Sequence, residues 1–282
     1  MHLSTYTHQG HTAIGQLAGD RVIPIPGYTD MLAFVQAGPA AWQASPPPGA
    51  SLPADQVELQ APLSNPTKVV AIGLNYMDHC REQHVDPPSK PLVFAKFPSA
   101  IVGPGAAIAW DPQLTAQVDV EVELGVVVGR PARRVARAAA LSYVFGYTVL
   151  NDVSARDVQF GDGQWVRGKS LDTFCPLGPV IVTADEIPDP QTLRLRCLVN
   201  ETPWQDSSTA EMIFDVAELI SYLSYSFTLY PGDIIATGTP YGVGVFRDPP
   251  LFLHDGDRVV AEIEGIGRLE NHCAARAQPL AG

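Results

Sequence analysis

Short runs of valine, isoleucine and leucine, closed by turn residues, dominate the chain, and helical spacing is rare. The pattern predicts a mainly β protein with few helices. Residues 1–62 read as a small N-terminal α+β unit. In it, residues 11–16 and 21–25 pair around Gly19-Asp20, and a short helix covers 30–37. Ser45-Pro46-Pro47-Pro48-Gly49 follows as a stiff linker, because consecutive prolines fix φ and remove backbone donors. Residues 63–282 form the larger domain, whose first strand starts near Lys68. Residues 69–74 are an apolar strand, and Asn75 is placed to cap a helix carrying His79 and Glu82 that ends before Pro87-Pro88. Further strands are predicted at 91–96, 118–129, 143–151, 176–183, 193–200, 233–237 and 258–263. One long helix is predicted over 210–226, where Met212, Ile213, Val216, Leu219, Ile220 and Leu223 make an apolar stripe.

Composition narrows the partners. A net charge of −12 with no basic run excludes a phosphate-binding surface for nucleic acid. It does not exclude a small anionic substrate, since a bound dication reverses the local field. The four cysteines are scattered, as free thiols in a reducing compartment would be. The N-terminus lacks a basic region followed by an apolar run, and no stretch of about 18 apolar residues exists to cross a bilayer. A soluble, cytoplasmic protein with no membrane partner is the expectation.

The candidate chemistry begins at Val118-Asp119-Val120-Glu121-Val122-Glu123-Leu124, which alternates with period two, so the acids share one face and the valines the other. A strand with a wet face would read the same way. Against that, the run continues into Gly125-Val126-Val127-Val128, which has no polar face. Same-face carboxylates beside a core are costly unless neutralised, and a dication neutralises them directly. Asp152 ends another apolar run, where an aspartate can equally cap a turn. Three carboxylates without histidine or cysteine favour a hard ion, magnesium with manganese as a substitute. Lys169 follows Gly168, which permits close backbone approach. His79 and Glu82 are three apart, on one helical face. The glycine-rich segment 237–244 lacks the lysine of a phosphate loop and reads as a binding loop offering hydroxyl and amide donors.

As a set and in this order, these segments resemble the fumarylacetoacetate hydrolase, or acylpyruvase, family. The matching stretches are Gly73-Leu74-Asn75-Tyr76 with His79 and Glu82, Phe94-Ala95-Lys96, residues 119–124, and Asn151-Asp152 through Arg156-Asp157. Lys169-Ser170, Cys175-Pro176-Leu177-Gly178-Pro179 and Thr237-Gly238-Thr239-Pro240 complete it. The resemblance covers residues 66–270, and the N-terminal unit is similar to the extra domain of bacterial members. It implies an α+β, mainly β, mixed β-sandwich roll, in a homodimer. It implies a magnesium site on Glu121, Glu123 and Asp152. His79, Glu82 and Lys169 are then catalytic, with the first two on a lid. Arg156, Gln159, Thr239, Lys96 and Tyr76 are on the substrate side.

The resemblance further implies a small 2-oxo acid substrate. The expected reaction is hydrolysis of the carbon–carbon bond of a 2,4-dioxo acid to pyruvate and a carboxylic acid. There Lys169 stabilises the developing enolate, and His79, oriented by Glu82, deprotonates water. Decarboxylation of oxaloacetate and isomerisation of 2-hydroxy-dienoates use the same first steps and stay open as alternatives. The His79–Glu82 pair favours hydrolysis, because a water activator is superfluous for decarboxylation.

Overall fold

The computed structural model describes residues 1–42 and 51–277. The linker expected at 45–49 lies outside the described residues. The described residues form a twelve-stranded mixed sheet, a five-stranded sheet and a two-stranded pair of Val118–Asp119 with Ser154–Ala155. The centre of the large sheet is the strand Val122–Val128, paired antiparallel with Val144–Asn151 on one side and Ile234–Ala236 on the other. Val69–Gly73 lies parallel to Ile234–Ala236 and antiparallel to Leu92–Lys96, which ends the sheet. The five-stranded sheet runs through Arg194–Val199, Arg258–Ile263 and Gly267–Ala275.

Every residue of Val122–Val128 is buried. Val122, Leu124, Val126 and Val128 join one core with Leu195, Cys197, Val259 and Ala261 of the second sheet. Val127 joins a second core with Ile181 and Ile234, and with Leu3, Ile14, Met31 and Phe34 of the N-terminal segment. The central strand is therefore apolar on both faces, as expected of a strand covered on each side. Glu123 enters it on the Val127 side.

The N-terminal hairpin forms from His11–Ala18 and Arg21–Pro24, and the helix Met31–Gln36 is capped by Asp30, whose carboxylate accepts from the Ala33 N–H. His2–His8 then pairs with Cys175–Thr183, so this segment continues the large sheet.

Three predicted elements come out differently. The strand expected over 118–129 is two, Val118–Asp119 and Val122–Val128. Between them side chains replace the ladder. Asn151 Oδ1 accepts from the Glu121 N–H at 3.1 Å, and Gln205 Oε1 from the Val122 N–H at 2.9 Å. The helix expected from 210 begins at Val216, because Asp215 caps it by accepting from the Glu218 N–H. Asn75 does not cap the helix Met77–Glu82. Its amide donates to the carbonyls of Phe214 and Thr237, and its Oδ1 accepts from the Phe214 N–H. Asn75 is fully buried, so Asn75→Leu strands these partners without replacements. A loss of about 3 kcal/mol in urea unfolding is expected. A loss within experimental error would show that the partners find water instead.

Candidate active site

The break at residues 120–121 turns Glu121 and Glu123 toward the end of the neighbouring strand Val144–Asn151, immediately beyond which stands Asp152. The Asp152 N–H donates to the Glu121 carbonyl at 2.8 Å, which locks the two segments together. Glu121, Glu123 and Asp152 each bring a carboxylate oxygen within 4.8 Å of the others, and all three are buried. The fold thus brings together the three acids singled out in the sequence.

Three cations surround it. Lys169 Nζ lies 2.7 Å from Glu121 Oε2 and 2.9 Å from Asp152 Oδ2. Arg156 bridges Asp119 at 2.8 Å and Glu121 at 2.6 Å. Lys96, whose side chain is fully buried, donates to Asp152 Oδ1 at 2.6 Å and also to the Lys169 carbonyl. Lys169 reaches the site because the short helix Val166–Lys169 packs tightly on Arg156–Asp162. A Cβ on Gly168 would stand 2.6 Å from the Gln159 nitrogen, so only glycine fits there.

The charges do not balance. Asp119, Glu121, Glu123 and Asp152 are four buried acids facing three buried cations. Burial would raise the Glu121 carboxyl, but Lys169 and Arg156 outweigh it and hold it at about 2. Burial, and then Asp152 and Glu121, push the Glu123 carboxyl well above the ordinary carboxylate range. Among the described residues no basic side chain pairs with Glu123, which accepts only from the Gly238 N–H, at 2.8 Å. An all-oxygen donor set with a charge deficit at one member fits a hard divalent cation.

The helix Met77–Glu82 brings His79 to the cavity beside these acids. His79 Nδ1 lies 2.9 Å from Glu82 Oε2, and Glu82 Oε1 accepts from the Gly242 N–H at 2.8 Å. The pair is mostly buried, with side chains 7% and 13% exposed, unlike a surface ion pair. Phe246 meets the imidazole edge-on at 5.9 Å between ring centres.

The segment 237–244 offers its amides to the protein's own carboxylates. Gly238 serves Glu123, Gly242 serves Glu82, and Gly244 serves Asp119. Gly242 has φ +100, and a Cβ there would lie 2.1 Å from the Trp204 carbonyl oxygen, so no other residue can present that amide.

The cavity is compact, about 70 Å³. His79, Gln83, Glu121, Arg156, Gln159, Lys169 and Thr239 supply its polar lining, and Phe94, Phe160, Trp165 and Phe246 much of its apolar wall. The Thr239 hydroxyl donates to the Val122 carbonyl at 2.9 Å and accepts from Gln205 at 2.8 Å, so its proton is already committed. Lys96 and Tyr76 do not line the cavity. Lys96 supports Asp152 from behind, and Tyr76 is fully buried, its hydroxyl raised first by burial and then by Glu123. Gln205, which supports Val122 and Thr239, and Gln83, which touches His79, carry no local sequence mark beyond the four-residue spacing of Gln83 from His79. A larger cleft of about 730 Å³, between Arg194, Arg196, Glu262 and Arg268, contains none of these groups. Its basic side chains are paired with acids on the same surface. Chemistry, not size, selects the smaller cavity.

Known proteins are similar to this chain in sequence and in fold. The bovine protein named oxaloacetate tautomerase FAHD2A, mitochondrial, is 51% identical over 222 residues, 78% of this chain and 70% of that protein. Fumarylacetoacetate hydrolase from psychrophilic Exiguobacterium antarcticum superposes with a TM-score of 0.89 at 38% identity, covering 98% of this chain and 100% of that one. A 2-hydroxyhepta-2,4-diene-1,7-dioate isomerase from Mycobacterium marinum has a TM-score of 0.82 at 37% identity, covering 99% and 100%.

The mitochondrial placement of the bovine relative, shared by the human protein of the same name at 44% identity, overturns the expected cytoplasmic location. Scattered free thiols and the lack of a long apolar stretch suit any reducing aqueous compartment, so they did not distinguish one from another.

The profile described as the C-terminal domain of fumarylacetoacetate (FAA) hydrolase matches residues 68–274. The carboxylate cluster, the lysine and the histidine–glutamate pair all fall inside that match, and the chain is an enzyme of the fumarylacetoacetate hydrolase family.

Proposed function

We propose that this enzyme is a divalent-metal-dependent tautomerase that interconverts the enol and keto forms of a small 2-oxo dicarboxylic acid of the oxaloacetate type. The similarity to proteins named oxaloacetate tautomerase and to a dienedioate isomerase supports this branch over the hydrolysis expected above. The observation that carries the reading is the set of groups at one cavity: the buried acids Glu121, Glu123 and Asp152 with Lys169 beside them, and one histidine, His79, oriented by Glu82. Moving a proton next to a 2-oxo group needs one base and a stabilised enolate oxygen, and no attacking water.

Glu121, Glu123 and Asp152 would hold the ion, magnesium or manganese, which when bound polarises the 2-oxo group as a Lewis acid. Lys169 adds positive charge at the oxygen where the enolate develops. His79 moves the proton at the adjacent carbon, and Glu82 fixes its ring through Nδ1. Phe94, Phe160, Trp165 and Phe246 keep bulk water out, which strengthens these electrostatic contacts.

The test follows enol-oxaloacetate absorbance with magnesium, and pyruvate release from an acylpyruvate in parallel. Rapid tautomerisation without pyruvate release is expected. His79→Asn should slow it by about 10²-fold, the low end for a general base, because the reaction also proceeds in water. Pyruvate release with no effect on oxaloacetate would replace this reading by hydrolysis.

A further inference from the structure

Both ring nitrogens of His79 are engaged by its own helical turn. Nδ1 faces Glu82 Oε2 at 2.9 Å, and Nε2 faces the Gln83 amide nitrogen at 2.7 Å. The Glu82 carboxylate only accepts, so Nδ1 carries the proton and Nε2 the lone pair. The Gln83 N–H therefore donates to the one nitrogen that can act as a base, and His79 is capped. Among the described residues the Gln83 side chain has no other hydrogen-bond partner, so it can leave without breaking a second bond.

The remaining donors of the cavity are largely committed. Lys169 serves Glu121 and Asp152, Arg156 serves Asp119 and Glu121, and the Thr239 hydroxyl serves Val122. Arg156 Nη2, which has no hydrogen-bond partner among the described residues, and the amide nitrogens of Gln83 and Gln159 are left, and of these Gln83 touches the base. A neutral hydrogen bond contributes about 1 kcal/mol and one to a charged group about 1.5–3 kcal/mol. A carboxylate arriving beside His79 therefore wins the Gln83 amide from the imidazole.

We propose that Gln83 is a substrate-displaced cap on His79 and the donor that recognises the distal carboxylate of the 2-oxo diacid. Binding of that carboxylate draws the amide away and frees Nε2. The base then takes a proton from the carbon next to the oxo group. The C–H electron pair forms the carbon–carbon double bond, the carbonyl π pair moves to oxygen, and that oxygen takes a proton from water to give the enol, while His79 returns its proton to solvent. A 2-oxo monocarboxylate leaves the cap in place. This deepens the tautomerase reading and rests on it.

The experiment measures deuterium exchange at that carbon by proton NMR with magnesium, for oxaloacetate and for 2-oxobutanoate, which has the same chain length without the distal carboxylate. In Gln83→Met, kcat/KM for oxaloacetate should fall about 10- to 100-fold, mainly through KM, the worth of a hydrogen bond to a charged group. Exchange of 2-oxobutanoate should rise severalfold as the base is uncapped. An equal fall for both, or an unchanged preference, overturns the proposal. The cap has a second readout without substrate. The imidazole ¹⁵N resonance of Nε2, identified by its loss in His79→Asn, should shift in Gln83→Met, and an unmoved resonance overturns the cap. If the wild type exchanges neither acid, the tautomerase reading fails on its own. The cap is then judged by the nitrogen shift, and diacid recognition by calorimetry of oxaloacetate with wild type and Gln83→Met, where equal affinities overturn it.

Discussion

Glu123→Ala is expected to give a folded protein that no longer responds to magnesium. Among the described residues Glu123 is the member of the acid cluster with no paired cation, and burial, Asp152 and Glu121 outweigh Lys169 in disfavouring its charge. Its removal strands the Gly238 N–H, so metal-free stability should change by no more than about 1–3 kcal/mol. Loss of a supporting residue around a metal typically costs 10- to 100-fold, and a direct ligand should cost more, roughly 10³-fold in activity and in calorimetric magnesium affinity. Metal-dependent turnover at the wild-type level would remove Glu123 from the site, and an unfolded variant would make its role structural.

A pH dependence follows from the same carboxyl. Raised above its unfolded value, Glu123 holds a proton in the native state that the unfolded chain has released. Its contribution to stability is full below the ordinary carboxylate range and is lost as pH rises through its native value. Metal-free wild type should therefore lose stability on that rise. Glu123→Gln should lose less, and saturating magnesium should flatten the slope in the wild type.

Lys169→Met should reduce kcat by about 10²–10³-fold with a smaller change in KM, because the charge is needed most as negative charge develops on the substrate oxygen. The geometry adds a consequence. Lys169 binds two of the three proposed metal ligands, so its loss exposes Glu121 and Asp152 to each other without that countercharge. Breaking a buried ion pair costs about 3–5 kcal/mol, and the metal-free variant should be destabilised by about that amount. Magnesium replaces the missing charge. It should raise the melting temperature of Lys169→Met more than that of wild type, and bind it more tightly. A variant altered only in KM would make Lys169 a substrate anchor. A variant that magnesium stabilises no more than wild type would separate Lys169 from the metal ligands.

The carboxylates were legible because Glu121 and Glu123 alternate with apolar residues just before a run with no polar face. A period-two pattern reports which side each residue takes, and a two-sided apolar run reports burial. His79 and Glu82 were legible for the same kind of reason, since residues three apart meet on a helix. The expected distinction between residues that meet substrate and residues that support the site was less successful. Lys96 and Tyr76 lie behind the cluster, and the Thr239 hydroxyl is spent on Val122. Strand pairing across the sheets decides those orientations, and no local pattern encodes it.

By itself the sequence determined the mainly β architecture, the acids to be gathered, and the helical pairing of His79 with Glu82, because each depends on spacing along one element. Only the tertiary structure decided the break between Asp119 and Val122, the use of Asn75 as a clasp between Phe214 and Thr237, the three amides that 238–244 lends to the acids, and the Gln83 contact with His79. Most of these are contacts between segments far apart in the chain. The Gln83 contact is local, but it acquires meaning only from the cavity that forms in front of it. Buried donors and acceptors must find partners wherever the fold brings them, and the sheet topology sets those encounters.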